Sequence, residues 1–198
     1  MKVLSFVLAL LSATPVWAAL PPQFSECLQQ NSGSNMTAAD VAEIAKVSRI
    51  TYCQNQVSLI GKAELLSMLS NPNVNMGLSV SKTSYTNQDF IDMAAAGTYV
   101  LYVDSSRLSR DNLVALLNAN VQLVVMSGSS GLSRADLLIL AAAKPFIYNV
   151  NSVVLKTDLQ DYVRAGVQVV IRTAQAGLSR QDILDVAQLN SERVSIFP

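Results

Sequence analysis

The chain has 198 residues, of which 51% are hydrophobic and 14% charged, and its 14 basic residues balance its 14 acidic ones. This neutrality argues against a nucleic-acid-binding protein, which normally carries a basic excess. The sequence contains no histidine, which excludes Ser-His-Asp and Cys-His catalysis and any zinc site that uses histidine. It also lacks a phosphate-binding glycine loop, zinc spacing or calcium loop, so we predict no metal and no cofactor.

The first 18 residues have the three parts of a secretory signal peptide. Lys2 supplies a positive charge, Val3 to Leu11 form an apolar stretch too short for a bilayer, and Val16-Trp17-Ala18 is a small-x-small cleavage site. The sequence therefore predicts removal of residues 1–18 and an exported protein, either periplasmic or secreted. No later segment has the apolar length of a membrane span, so the mature chain is expected not to cross a membrane.

Residues 19–36 precede the repeats described below and are predicted to form an N-terminal capping segment. This segment contains Cys27, and the only other cysteine is Cys53. A single pair of cysteines in an exported protein favours one disulfide. We expect the bond between Cys27 and Cys53 to attach the capping segment to the first repeat.

A repeat runs through residues 37–198. The segments Gly131 to Leu137 and Gly177 to Ile183 are near copies, and Arg107 to Leu113 is a third version. Such periodicity indicates a repeat architecture. Seven units, spaced 22 to 25 residues apart, align on the anchor positions Thr37, Gly61, Thr86, Ser109, Ser133, Leu155 and Ser179.

Each anchor is predicted to be a helix N-cap, because serine or threonine there accepts a hydrogen bond from the first turn. The third residue after the anchor is acidic in six of the seven units, which completes a capping box and favours the positive end of the helix. A β-branched or aromatic run follows each helix and predicts a strand. The predicted strands are Ile50–Cys53, Val74–Val80, Tyr99–Val103, Val121–Met126, Phe146–Val150, Val167–Ile171 and Val194–Phe197.

Helices and strands that alternate in one direction predict an α/β fold with a parallel sheet and helices on one side. The phrase Leu-Ser-x-x-Asp-Leu-x-x-Leu followed by Val-x-Leu-x-Val resembles the leucine-rich-repeat class from roughly Met36 to Pro198, although that family's asparagine ladder is absent. The resemblance implies a right-handed α/β solenoid. The alternative is a small closed β/α barrel. Polar residues such as Gln122 and Gln168 on one strand face favour the solenoid, since a closed barrel buries both faces.

In an open solenoid the mixed strand face forms a concave wall. Amide and hydroxyl groups beside small apolar ones are typical of surfaces that contact a protein or a glycan. We therefore predict a protein or glycan partner at this concave face. The predicted contact residues are Thr51, Asn75, Gln122, Val124, Asn149, Gln168, Val170 and Ser195.

A second candidate surface is the edge where strands end and helices begin. A basic residue directly follows the anchor in five units, and stacking would place these five beside helix N-termini, which attract anions. The opposing hypothesis is that the neighbouring acidic residues neutralise them. The anion-binding candidates are Lys62, Arg110, Arg134, Lys156 and Arg180.

Residues that could support catalysis are few. Asp104 is the only acid in the strand-to-helix loops, with no second carboxylate evidently paired to it, and the loop serines Ser127, Ser129 and Ser130 have no evident base. The sequence therefore predicts that the chain is not an enzyme but an exported, non-catalytic binding or scaffold module. The alternative is a small β/α-barrel enzyme, hydrolase-like, of unknown substrate. The uncapped strand Val194–Phe197 adds an expectation of self-association through its open edge.

Overall fold

The computed structural model describes residues 20–29, 36–54 and 60–198. The predicted signal peptide lies outside these residues. The described part of the chain is an α/β fold whose single sheet has seven strands, all parallel, in the chain order β1 to β7. The strands are β1 (Ile50–Gln54), β2 (Val74–Ser79), β3 (Tyr99–Val103), β4 (Gln122–Met126), β5 (Ile147–Val150), β6 (Gln168–Arg172) and β7 (Val194–Phe197).

The helices fall into two sets. Seven of them alternate with the strands in the predicted register: α2 (Ala38–Ala45), α3 (Lys62–Leu69), α4 (Asn87–Ala96), α5 (Arg110–Asn118), α6 (Arg134–Ala143), α7 (Lys156–Arg164) and α9 (Arg180–Ala187). The other two, α1 (Gln23–Gln29) and the short α8 (Thr173–Ala176), were not predicted. Helix α1 falls in the predicted capping segment, and α8 occupies a stretch expected to be loop.

All seven predicted anchors are N-caps, which confirms the helix register. The side chain of each of the five serine and threonine anchors accepts a hydrogen bond from the backbone N–H three residues later. The side chain of that later residue accepts from the backbone N–H of the anchor. At Gly61, which has no hydroxyl, the backbone N–H donates to Glu64 Oε2 at 2.9 Å. Leu155 makes no side-chain cap bond. The first helical turn is thus fixed locally by the sequence in most units.

The main hydrophobic core lies between the sheet and the helices that follow each strand. Alternate strand residues such as Met76, Leu101 and Leu123 pack there against helix residues such as Phe90 and Leu113, and all five are fully buried. Every unit contributes equivalent residues to this core. Every second residue of a strand and every third or fourth residue of a helix face the layer between sheet and helices, and these positions are apolar. This layer is the repeated part of the structure.

The opposite face of the sheet points inward and carries a second, smaller core around α1. Cys27 and Cys53 form the predicted disulfide, and the Tyr102 hydroxyl donates to the carbonyl oxygen of Gln23 at 3.0 Å. A Cβ at Gly77 would lie 2.4 Å from Cys27 Sγ, so only glycine allows this close approach. Helix α1 is therefore packed inside the sheet, where it covers β1 to β3.

The sheet curls around α1. Seven parallel strands laid flat would hold β1 and β7 about 29 Å apart, whereas a seven-residue helix is only about 10 Å long. Yet α1 reaches both ends, since Cys27 is bonded to β1 and the Phe24 ring lies 6.3 Å from that of Phe197 in β7. Among the described residues β1 and β7 do not pair with each other.

Candidate functional site

The carboxyl ends of the strands lie at one edge of the sheet, as in all parallel sheets. This edge carries the loops that lead into the helices, and in α/β proteins ligands bind there. Ser79 is the last residue of β2, Ser81 lies in the turn after it, and Asp104 directly follows β3. Because β2 and β3 are neighbours in register, these three residues meet.

Asp104 accepts three hydrogen bonds from the loop after β2. Its Oδ2 atom accepts from the Ser79 hydroxyl at 2.6 Å and from the Ser81 hydroxyl at 2.7 Å. Its Oδ1 atom accepts from the backbone N–H of Ser81 at 2.8 Å. The Ser79 oxygen in turn accepts from the backbone N–H of Lys82 at 3.2 Å. The carboxylate is therefore held in one orientation against a serine hydroxyl.

The three residues of this group differ in their exposure to solvent. Ser79 is buried, Asp104 is half-buried and Ser81 is exposed. Arg107, which is exposed, donates from Nη1 to the carbonyl oxygen of Thr83 at 2.6 Å and so ties the two loops together. Ser81 is therefore open to solvent, while its carboxylate partner is held in place by the buried Ser79.

A second polar group lies at the same edge, between β4 and β5. The Asn151 side-chain oxygen accepts from the Ser127 hydroxyl at 3.2 Å and from the backbone N–H of Gly128 at 3.1 Å. Ser127 and Ser152 hydroxyls lie 2.8 Å apart. This group contains hydroxyls and amides only, so it offers no base for proton transfer.

The predicted contact residues of the concave face are mostly not at the surface. Val124, Val170 and Asn149 are fully buried, and Gln168 is 9% exposed. Thr51, Asn75 and Ser195 are half-buried, and Gln122 is exposed. The reason is that α1 and the curl of the sheet fill the space that an open solenoid would leave to solvent. Contact of a protein or glycan with this face stays a prediction.

The five predicted anion-binding cations do line up beside the helix N-termini, and four of them pair with acids of the next helix in the stack. The pairs are Lys62 with Asp89 and Asp92, Arg110 with Asp136, Arg134 with Asp158 and Asp161, and Lys156 with Asp182 and Asp185. We call this set the ion-pair ladder. An anion-binding role stays a prediction, and carboxylates already occupy these four cations.

The ladder changes the acidity of its members. The ammonium of Lys62 and the Thr86 hydroxyl hold the pKa of Asp89 well below its ordinary value, and the same ammonium lowers the pKa of Asp92. The two carboxylates raise the pKa of Lys62. Within the described residues no three histidine, cysteine, aspartate or glutamate side chains are grouped to hold a metal ion. Nor does any helix there have the length and apolarity to cross a membrane.

Comparisons with known proteins place the chain as follows. No family model and no curated protein matches it. A solved structure that it resembles is a provisionally assigned lyase/mutase from Burkholderia cenocepacia J2315, with 12% sequence identity and a TM-score of 0.41. The match covers 87% of this chain and 78% of the other.

Two predictions are corrected by this match. The chain was predicted to be a non-catalytic binding or scaffold module and not an enzyme, and both predictions are wrong against a match to a lyase/mutase. The enzyme alternative is taken up below as a proposal. Asp104 has no second acid beside it, but it accepts hydrogen bonds from two serines that lie 23 and 25 residues earlier in the chain, a pairing that the sequence alone does not indicate.

Proposed function

We propose that the chain is a hydrolase-like enzyme in which Ser81 is the nucleophile and Asp104 is its general base. The observation that carries the proposal is the 2.7 Å hydrogen bond from Ser81 Oγ to Asp104 Oδ2, with the carboxylate oriented by Ser79. A nucleophile within hydrogen-bond reach of a base that a third group orients is the arrangement used in acyl transfer. Its place at the carboxyl ends of β2 and β3 supports the same assignment.

The reaction follows from this geometry. Ser81 Oγ attacks the carbonyl carbon of an ester and passes its proton to Asp104 Oδ2. The carbonyl oxygen takes the electron pair, and collapse of the tetrahedral intermediate expels the alkoxide, which receives the proton back from Asp104. A water molecule then hydrolyses the acyl-serine by the same proton transfers, which releases the acid and restores both residues.

The flanking charges favour a class of substrate. Lys82 directly follows the nucleophile, and Arg107 lies in the loop that Asp104 begins; both side chains are exposed. Two exposed cations in the loops that carry the serine and the aspartate attract a negative group. We therefore propose small esters that carry a carboxylate or phosphate.

A fluorophosphonate probe, which labels only activated serines, tests this proposal. The mature protein is expected to form an adduct at Ser81, mapped by peptide mass spectrometry. Ser81→Ala should abolish the adduct, and Asp104→Asn should slow labelling by about a hundredfold, because the amide cannot accept the proton. Ser129→Ala is the matched control, since Ser129 is an exposed loop serine that bonds no carboxylate among the described residues.

Hydrolysis of p-nitrophenyl esters, with and without an acidic acyl group, provides the second readout. Loss of turnover in Ser81→Ala and Asp104→Asn but not in Ser129→Ala would support the proposal. Labelling that spares Ser81, or an unchanged rate in Asp104→Asn, would overturn it.

We also propose that the seven units form a right-handed solenoid, similar to leucine-rich repeats, wound tightly around α1. The identical N-cap register and the strand order that follows the chain support this interpretation, as does the strong preference of parallel crossovers for the right hand. Export to the periplasm or outside the cell is the matching proposal for location. The disulfide supports it, because such bonds persist in oxidising compartments.

A further inference from the structure

The sixth unit departs from the repeat where its helix begins. In the other six units the side chain of the third helical residue accepts from the backbone N–H of the N-cap and so completes a capping box. Helix α7 has Leu155 as its N-cap, and within the described chain it forms no such box. Its third residue is Asp158, whose charged contact among the described residues is Arg134 Nε at 3.4 Å. This carboxylate therefore lacks the cap hydrogen bond that holds its equivalents.

A cavity of about 270 Å³ opens beside Asp158, between the loops that follow β4 and β5. Ser127, Arg134 and Asp158 contribute polar and charged groups to its wall. Val153 and Leu155 also line it, and these two apolar side chains are 77% and 66% exposed. The volume is close to the lower end of the range for small-molecule sites, about 300–1,000 Å³. The cavity thus fits a small ligand with an apolar part.

Two buried tyrosines complete the wall of the cavity. Tyr148 is 6% exposed and Tyr162 is 3% exposed, and their ring centroids lie 5.1 Å apart in an edge-to-face arrangement. Burial raises the pKa of Tyr148 to about 12 and also raises the pKa of Tyr162, so both hydroxyls keep their protons at neutral pH. Among the described residues no group bonds the Tyr162 hydroxyl, which lies close enough to Asp158 to feel its charge. A buried hydroxyl without a partner is costly, and a ligand in the cavity would supply one.

The charges around the cavity favour a cation. Arg134 pairs with Asp161 as well as with Asp158, and Asp161 pairs in addition with Arg164 at 3.2 Å. Asp161 thus has two arginines, whereas Asp158 shares one. An anion in the cavity would be repelled by Asp158, and the guanidinium of Arg134 is already occupied by carboxylates. A cation would gain the Asp158 carboxylate and contact with the tyrosine rings.

We propose that this cavity binds a small primary amine that carries an alkyl or aryl group. The ammonium donates to the Asp158 carboxylate and to the Tyr162 hydroxyl oxygen. The apolar group covers Val153 and Leu155 and removes their exposed surface from water. The cavity lies in the loops after β4 and β5, whereas the Ser81–Asp104 pair lies after β2 and β3. Amine binding is therefore independent of the proposed hydrolase activity.

Titration of the mature protein with 2-phenylethylamine, followed by ¹H–¹⁵N correlation spectra, tests this proposal. Binding is expected to saturate with a dissociation constant below about 1 mM, and the shifted signals should concentrate in α7 and in the loops after β4 and β5. The comparison ligands are 2-phenylethanol, which has the same shape without the charge, and 3-phenylpropionate, which has the opposite charge. Each should bind at least tenfold more weakly.

Substitutions separate the parts of the site. Asp158→Asn should weaken amine binding at least tenfold, because the amide keeps the shape but loses the charge. Tyr162→Phe should weaken it by about fivefold through loss of one hydrogen bond. Leu155→Ser restores the N-cap of the other units and should also weaken binding without lowering the thermal midpoint, since the new hydroxyl engages the carboxylate. Asp40→Asn is the matched control, because Asp40 has the same helix position in α2 but is held by Thr37, and it should leave the affinity unchanged.

Circular dichroism checks that each variant is folded. No saturable shifts in α7 up to about 10 mM amine, equal binding of 3-phenylpropionate, or an unchanged affinity in Asp158→Asn would each overturn the proposal. Ser81→Ala is expected to bind the amine as the wild type does, and loss of amine binding in that variant would also overturn it. Failure of amine binding leaves the labelling of Ser81 unaffected, so the two proposals fail separately.

Discussion

The helix-facing and inward-facing sides of the sheet differ in how they bury their residues. On the helix-facing side, each unit supplies the same apolar positions, and residues such as Leu101 and Leu123 pack against the helices of their own and adjacent units. On the inward side, a single helix and one disulfide form part of a core that is not repeated, and buried polar residues such as Asn149 and Gln168 are present. Repetition thus builds one face, and a single non-repeated segment completes the other.

The largest expected effect lies on the helix-facing side. Leu116→Ala removes a fully buried side chain of α5 and should lower the free energy of unfolding by about 3–4 kcal/mol, because the close-packed layer cannot collapse into the space. Urea denaturation followed by circular dichroism measures this. Leu155→Ala, at a 66% exposed leucine, is the control and should cost no more than about 0.5 kcal/mol. Equal losses would contradict the assignment of stability to the repeated core.

Loss of the disulfide should destabilise the inward side of the sheet. Replacing both Cys27 and Cys53 by alanine removes a bridge between residues 26 positions apart and should cost about 2–3 kcal/mol, mainly through the entropy of the unfolded chain. Hydrogen exchange is expected to rise in α1 and in β1 and β2, which α1 contacts, more than in β5. Wild-type protein in reducing agent should behave in the same way. A uniform rise over the sheet would show that α1 is not a separate cover.

The repeated face was predictable because its signals are local. A cap such as Ser133 and its partner Asp136 lie three residues apart, so helix starts could be placed to the residue. Strand ends shifted by one residue at several sites, for example at Gln122, because backbone pairing with the neighbouring strand decides them.

The inward face was less predictable because its contacts join distant parts of the chain. The Tyr102 hydroxyl bonds Gln23, 79 residues away, and no local pattern indicates that α1 would enter the concave side. Alternation of polar and apolar residues predicted a solvent-exposed strand face. Asn149 is instead buried there, and its amide donates to Met126 Sδ at 3.3 Å. The Ser81–Asp104 pair was missed for the same reason, although Asp104 stood out as the one acid of those loops.

The smallest expected effect concerns the ladder, which lies outside both faces. The folded state lowers the pKa values of Asp89 and Asp92, chiefly through Lys62, so the ladder stabilises the protein at pH values above about 4, where unfolded aspartates ionise. This contribution is lost as the pH falls below that value toward the depressed pKa values of the folded state. Stability should therefore decline between about pH 4 and pH 2.

Removing one cation isolates the contribution of its ion pairs to stability. Lys62→Met should lower the urea midpoint slightly at pH 7, and the difference from wild type should shrink as the pH falls toward 2, because protonated acids no longer attract the ammonium. The effect should be small, since all three groups are partly exposed and salt screens them. Lys144→Met serves as the control, because its ammonium bonds the Asn120 amide oxygen rather than a carboxylate and so has no such pH dependence. If the stability of the two variants had the same pH dependence, the ladder would add nothing beyond ordinary surface charge. Packing of the units on one another would then depend on the helix-facing core alone.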